Sequence, residues 1–302
     1  MPRSKTVWTV LAAVLVASGV LAAADKAALD AAFAQLAGYD FGRDPAPTTT
    51  IANLVTASYG KAAERKELAS RLGGVLRSAA SRGAKDFACR QLAIIGTADE
   101  VPALAPLLAD EQLSHMARYA LERIPGPAAE DAMRQTLGKV QGKLLVGVIN
   151  SVGNRRVVGA VEDLARLLSS DDLAVAQAAA VALGKIGPSA RGPLEQALAR
   201  VSAPVRPAAA QSLLLCAEGL LVEGKRLEAA ALYDRLVQAD VPSVRTAAAR
   251  GAVLAREAAG AALLLAYLEG SDAERFHAAL VLVREAPGAA VTKALAAGLD
   301  RL

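Results

Sequence analysis

The chain has 302 residues, of which 54% are hydrophobic and only 3% aromatic, and it carries a formal charge of +4. Alanine and leucine must therefore fill the core, and because both are strong helix formers the composition predicts an all-α fold. The near balance of 34 basic and 30 acidic side chains lacks the concentrated positive field of a nucleic-acid-binding protein, so we exclude nucleic acid as a partner.

The first 24 residues are typical of a secretory signal peptide. Arg3 and Lys5 precede an apolar stretch over residues 7–21, and residues 22–24 form an A-x-A cleavage site. We predict cleavage near Ala24–Asp25 and export to the periplasm or the extracellular space of a bacterium. An uncleaved membrane anchor is the alternative. After cleavage, we expect no stable membrane insertion.

Residues 25–84 predict a helical N-terminal cap. An amphipathic helix over residues 25–38 is followed by a linker rich in proline and glycine, and two further helices are expected over residues 49–59 and 61–76. This region lacks the spacing that recurs further along the chain. We therefore interpret it as a cap that covers the apolar face of the first repeat.

From residue 85 onward, an apolar residue followed by a helix-stopping residue recurs at steps of 29, 28 and 34 positions. The four examples are Ile95-Gly96, Ile124-Pro125, Val152-Gly153 and Ile186-Gly187. Periods of about 20 to 50 residues mark helical repeat arrays, in which each unit buries its apolar face against its neighbours. We predict about seven helix pairs over residues 85–302.

The helix sequences within these pairs resemble a known repeat family. Val101-Pro102-Ala103-Leu104 and a following Leu-Leu predict a first helix, an acidic turn follows, and Leu183-Gly184-Lys185-Ile186-Gly187 ends a second helix rich in alanine. This arrangement resembles the HEAT repeat over about residues 85–299. The resemblance implies a right-handed α-solenoid, an armadillo-type superhelix of stacked antiparallel helix pairs, and it is nearly silent on function.

Two segments depart from this pattern. Residues 220–237 resemble the first helix of a tetratricopeptide repeat, and we expect a longer helix pair near residues 220–256 within the same stack. Residues 291–299 predict a first helix without a second. That helix is either a terminal cap or the point from which a longer natural protein continues.

The sequence offers few groups for catalysis or metal binding. The two histidines, His115 and His277, lie five repeats apart, and the two cysteines, Cys89 and Cys216, lie in equivalent helices four repeats apart. These separations predict exposed histidines and buried free thiols rather than a metal site or a disulfide. Since no catalytic motif is present, we predict that the chain is not an enzyme and has no catalytic residues, cofactor or metal.

Acidic side chains cluster where helices are expected to begin. Asp99 and Glu100 precede one first helix, and Asp110, Asp172 and Asp240 lie between helices. A carboxylate in such a position accepts hydrogen bonds from the free N–H groups of the next helix. We therefore interpret these residues as caps rather than as acid–base pairs.

One ridge of the second helices bears on partner binding. Two positions in each repeat project away from the buried face, and most of them are small or apolar. They are Arg118/Glu122, Val146/Asn150, Ala180/Gly184, Ala210/Leu214, Ala249/Val253 and Leu280/Arg284. Such a ridge either lines an apolar groove for a partner helix or peptide or, as we favour, is buried where helices approach closely.

The ridge turns polar in the first two repeats, and there we predict a partner-binding site at Arg118, Tyr119, Glu122 and Asn150. The sequence thus predicts an exported, non-enzymatic scaffold that binds a protein or polypeptide through its inner ridge. Two alternatives stay open. The chain is either the accessory region of a secreted sugar-active or electron-transfer protein whose catalytic module lies elsewhere, or a lyase-like or cofactor-handling repeat protein.

Overall fold

A computed structural model describes residues 26–285 together with residues 292–293 and 296–297. This described part contains helices and turns but no strands, which confirms the all-α, solenoid-like fold. The predicted signal peptide over residues 1–24 and most of the predicted terminal helix over residues 291–299 lie outside it.

The chain divides into two compact units, residues 1–132 and 133–302. The first unit contains a helix over residues 26–36 (α1) and five further helices: α2 Ala46–Ala57, α3 Ala62–Arg77, α4 Arg82–Ile95, α5 Val101–Leu104 and α6 Ser114–Leu121. The boundary between the units falls within α7, Pro127–Thr136.

The second unit contains nine further described helices. They are α8 Gly142–Asn154, α9 Val161–Leu167, α10 Leu173–Ile186, α11 Arg191–Leu198, α12 Arg206–Val222, α13 Arg226–Leu236, α14 Pro242–Ala255, α15 Gly260–Glu269 and α16 Ala273–Glu285. Short 3-10 turns precede several of the first helices. None of the helices in the described part of the chain is both long and apolar enough to cross a membrane.

The first unit is held together by buried apolar side chains and by one cluster of ion pairs. Leu36, Ile51 and Leu72 are completely buried, so α1, α2 and α3 each contribute to the core. Arg71 of α3 lies 2.5 Å from Asp30 of α1 and 2.9 Å from Glu67 of its own helix. These contacts join the first helix of the unit to the third.

The predicted helix caps are present at some positions and missing at others. Glu100 forms a capping box with Thr97, and Asp172 accepts a hydrogen bond of 2.9 Å from the Ala174 N–H at the start of α10. Asp240 does not cap α14, because its carboxylate lies 3.4 Å from Arg206 of α12 instead. The prediction for Asp240 is therefore wrong, since an arginine on a neighbouring helix competes for the carboxylate.

In the second unit, α10 packs against both α8 and α12, and contacts of Lys185 with Asn154 and of Cys216 with Gly187 join the C-terminal halves of these helices. A methyl group added to Gly153 near the end of α8 would lie 2.8 Å from Ala182 of α10, and one added to Gly184 of α10 would lie 2.7 Å from the Ser212 Cβ of α12. Real carbon atoms do not approach so closely, so glycine is what permits these helices to touch. The abundance of small residues in the sequence follows from this close approach.

Residues 220–237, which resemble the first helix of a tetratricopeptide repeat, comprise the end of α12, a turn and α13, and the predicted pair near residues 220–256 corresponds to α13 and α14. α13 packs against both α12 and α14, and its Tyr233 side chain is only 2% exposed. This pair therefore shares the core of the unit.

Candidate functional site

The structure buries most of the ridge in α10, α12 and α14. Ala180, Ala210, Leu214, Ala249 and Val253 are at most 3% exposed. These positions lie between helices, which is the interpretation favoured from the sequence, and they offer no surface to a partner. In α16, by contrast, Leu280 is 48% exposed, and the Arg284 side chain lies outside the described part of the chain.

Three of the four predicted partner-binding residues lie together at the end of α6. The Arg123 guanidinium stacks 3.7 Å from the centre of the Tyr119 ring, an arrangement in which a cation is attracted to the ring face. Burial lowers the pKa of the Arg118 guanidinium, and the carboxylate of Glu122 opposes that shift. Tyr119 is 38% exposed, so this cluster is a polar surface with one accessible ring.

Asn150, the fourth predicted residue, belongs to the second unit. It is half-buried in α8, whereas Arg118, Tyr119 and Glu122 belong to the first unit. The predicted site is thus divided between the two units, and each part is a small surface of its own.

The sequence did not predict a groove that crosses the C-terminal ends of α8, α10 and α12. The groove encloses about 670 Å³. We call it the C-terminal groove and define it by six of its residues: Gly153, Arg156, Lys185, Leu215, Glu218 and Val222. All six belong to the second unit.

Glycines form the floor of the C-terminal groove. Gly153, Gly184 and Gly219 line it, and a methyl group added to Gly219 would lie 2.8 Å from Pro188. Gly153 and Gly184 are themselves buried, and the space beside each of the three glycines is filled by a neighbouring helix or by Pro188. The glycines therefore bring the helices close together beneath the groove.

Two apolar side chains of α12 face the open side of the groove. Leu215 is 37% exposed and Val222 is 89% exposed. They lie seven residues apart, which is two helical turns, so they share one side of the helix. Together they form a short apolar strip beside the glycine floor.

Charged groups at the groove are separated by sign. Arg156 and Lys185 lie at the α8 and α10 side, where the Lys185 ammonium donates a hydrogen bond of 2.7 Å to the Asn154 side chain. Glu218 and Glu223 lie at the α12 side, where Glu223 is paired with Lys225 at 2.8 Å. The groove is therefore basic towards the α8 and α10 side and acidic at Glu218.

Arg156 has a left-handed backbone, with φ of 55°. Its N–H donates to the Gly153 carbonyl at 3.0 Å, and the next N–H, of Val157, donates to Val152 at 3.1 Å, which is the Schellman pattern of a helix end. Gly224, with φ of 75°, occupies the equivalent position after α12. A side chain in this conformation costs about 1 kcal/mol relative to glycine, and here it supplies a guanidinium at the rim of the groove.

A buried thiol lies beneath the groove floor. The Cys216 thiol donates to the Gly187 carbonyl at 3.2 Å, and burial raises its pKa to about 12. Burial likewise raises the pKa of Cys89 to about 12. Both thiols are therefore protonated at neutral pH and are poor nucleophiles, which confirms the predicted buried free cysteines.

The sequence carries no local signal for the groove. The groove side chains, such as Arg156, Lys185 and Leu215, come from three successive second helices and the turns that follow them. Only the packing of these helices brings the residues together.

No family model and no curated protein matches the chain. Among matching solved structures is that of human deoxyhypusine hydroxylase in complex with glycerol, with 16% sequence identity and a TM-score of 0.32. The match covers 88% of this chain and 98% of the hydroxylase chain. A likeness of this size assigns neither an activity nor a ligand to the present protein.

The prediction that the chain is not an enzyme requires correction. It is contradicted by this match, because the protein named in the matching structure is a hydroxylase. Sequence reasoning excluded catalysis because recognisable motifs were absent, but catalytic groups are assembled in space and need not form a sequence motif. We therefore withdraw that prediction.

Proposed function

We propose that this protein binds an extended segment of another polypeptide in the C-terminal groove. The observation that carries the proposal is the exposed apolar strip of Leu215 and Val222 along one side of the groove. A groove that offers apolar contacts to the side chains of a peptide is a common means of peptide recognition.

The dimensions of the groove set the length of the bound segment. Packed helices lie about 8–10 Å apart, so a groove that crosses three of them spans about 20 Å. An extended chain advances about 3.3 Å per residue, and about six residues therefore fill it.

The separated charges favour one orientation of the segment. An acidic residue of the partner fits beside Arg156 and Lys185, and a basic residue fits beside Glu218. The apolar residues between them then contact Leu215 and Val222. Complementary charges of this kind contribute more to orientation and selectivity than to affinity.

We also propose that the chain is a HEAT-repeat protein and that it is exported. The recurring apolar-then-breaker spacing supports a HEAT-repeat protein, and residues 1–24 support export to the periplasm or the extracellular space. A mature chain that begins at Asp25, measured by mass spectrometry of the exported protein, is the result expected for a cleaved signal peptide.

An array of immobilised hexapeptides of varied sequence tests the binding proposal. We expect the wild-type chain to bind a subset with an acidic residue near one end, a basic residue near the other and apolar residues between. Val222→Asp should weaken that binding about tenfold or more, because it places an uncompensated charge in the apolar strip.

Leu227→Asp is the matched control. Leu227 is also 89% exposed, but it lies at the start of α13 and does not line the groove. The same hexapeptides should bind this variant as they bind the wild type. Equal losses in the two variants, or no hexapeptide binding to the wild-type chain, would contradict the proposal.

A further inference from the structure

A second pocket lies in the same unit near the N-terminal ends of α12 and α14. It encloses about 390 Å³, within the size range of small-molecule sites. We call it the arginine pocket and define it by Leu198, Arg206, Leu213, Leu232, Arg235 and Leu236. None of these residues lines the C-terminal groove.

The walls of the arginine pocket are apolar and firmly packed. Leu213 and Leu232 are each 1% exposed and Leu236 is 2% exposed, so these side chains are fixed by the core behind them. Ala210 and Leu198 complete the apolar surface. A ligand that fills this space gains contact with hydrocarbon on several sides.

The two arginines of the pocket retain unused hydrogen-bond donors. Arg206 contacts Asp240 at 3.4 Å, and the two side chains are 42% and 77% exposed. Arg235 is 60% exposed and contacts Glu195 at 3.1 Å. A guanidinium has five N–H donors, so both arginines retain donors that point to no acceptor in the described part of the chain.

Two carboxylates, Glu195 and Asp240, also line the pocket, but they leave several of these N–H donors unmatched. Glu195 is shared, since it also accepts from Arg191 at 3.0 Å, and Asp240 is largely exposed to water. Neither α12 nor α14 has a side-chain cap at its N-terminus, and the partial positive charge of a helix N-terminus adds to that of the arginines. The pocket is therefore suited to an acceptor-rich, negatively charged group.

We propose that the arginine pocket binds a small amphiphilic carboxylate, a molecule with one carboxylate group on an apolar chain. The carboxylate accepts hydrogen bonds from Arg206 and Arg235 and replaces the loosely held Asp240 at Arg206. The apolar chain lies against Leu213, Leu232 and Leu236. This site is separate from the C-terminal groove, and its function does not depend on peptide binding.

Three probes with the same ten-carbon chain test the choice of head group. Decanoate, decan-1-ol and decyltrimethylammonium are titrated below their aggregation limits into the full chain, with binding measured by calorimetry. We expect saturable binding of one decanoate, and binding of the alcohol and of the ammonium at least tenfold weaker. Equal binding of all three, or binding of decanoate to many weak sites only, would overturn the proposal.

Variants of the arginines test the location. Arg206→Gln and Arg235→Gln should each weaken decanoate binding about tenfold, because each removes a charge-assisted hydrogen bond. Arg200→Gln is the matched control, since Arg200 is exposed and does not line the pocket, and it should bind decanoate as the wild type does. The replaced contacts are exposed, so circular dichroism should report an unchanged fold. Wild-type affinity in both pocket variants would overturn the proposal.

Discussion

The C-terminal groove and the arginine pocket use opposite ends of the same stack of helices. At the C-terminal ends of α8, α10 and α12, buried glycines bring the helices together and two apolar side chains of α12 face outward. Near the N-terminal ends of α12 and α14, the leucines point inward and arginines stand at the rim. The arginine pocket also includes Arg235 and Leu236 from the last turn of α13, so this edge combines N-terminal ends of second helices with the C-terminal end of a first helix.

In this tightly packed unit, the surface available to ligands lies at the ends of the helices. Small residues along the sides of α10 and α12 bring the helices together, so the sides of these helices are buried against one another. The ends of the helices remain open. Recognition in this unit is accordingly expected at the two edges rather than along the ridge.

The largest expected effect comes from Gly184, where the sides of two helices meet. Gly184→Ala places a methyl group 2.7 Å from the Ser212 Cβ and 2.9 Å from its Cα. Because backbone must move to relieve this overlap, we expect a loss of about 2 kcal/mol in the free energy of unfolding. Urea denaturation followed by circular dichroism measures it.

Gly192→Ala is the control for Gly184→Ala. Gly192 lies in α11 with open space around the position of an added methyl group. Alanine is the better helix former, so this variant should gain about 0.5 kcal/mol. If both substitutions changed the free energy of unfolding equally, the claim that Gly184 is needed for the close packing of α10 against α12 would be wrong.

A smaller effect is expected at the rim of the C-terminal groove. Arg156→Gly removes a side chain from a left-handed backbone and should raise the free energy of unfolding by about 1 kcal/mol. The same variant should weaken hexapeptide binding several-fold, because the basic end of the groove loses a guanidinium. Stability and affinity would thus move in opposite directions.

Gly224→Ala makes the opposite change, because it adds a side chain to a residue with a left-handed backbone. Gly224 holds the equivalent left-handed position after α12, and alanine there should lower the free energy of unfolding by about 1 kcal/mol. A less stable Arg156→Gly variant, or one that binds hexapeptides as the wild type does, would show that the strained arginine has no role at the groove.

The helical class and the approximate helix positions could be predicted from sequence because both depend on local signals. Ile186-Gly187 predicted the end of α10 and Asp172 predicted its beginning, and the structure has the helix end and begin at these residues. Asp240 could not be placed in this way. Its carboxylate has two possible partners, a helix N-terminus and Arg206, and the choice depends on a contact between residues 34 positions apart.

The candidate sites were harder to predict for a related reason. Arg156 and Glu218 are 62 positions apart in the sequence, and only the stacking of three helices places them on one groove. The ridge at Ala180 and Gly184 could be recognised as small, but whether small residues line a groove or close a helix contact depends on the distance between helices. That distance is a property of the packed unit.

Methyl NMR of leucine- and valine-labelled protein tests most directly whether the C-terminal groove and the arginine pocket bind different ligands. A bound hexapeptide should shift the methyl resonances of Leu215 and Val222 and leave those of Leu213 and Leu232 unchanged, and decanoate should do the reverse. A hexapeptide that leaves Leu215 and Val222 unchanged, or that shifts the same methyl groups as decanoate does, would contradict the account.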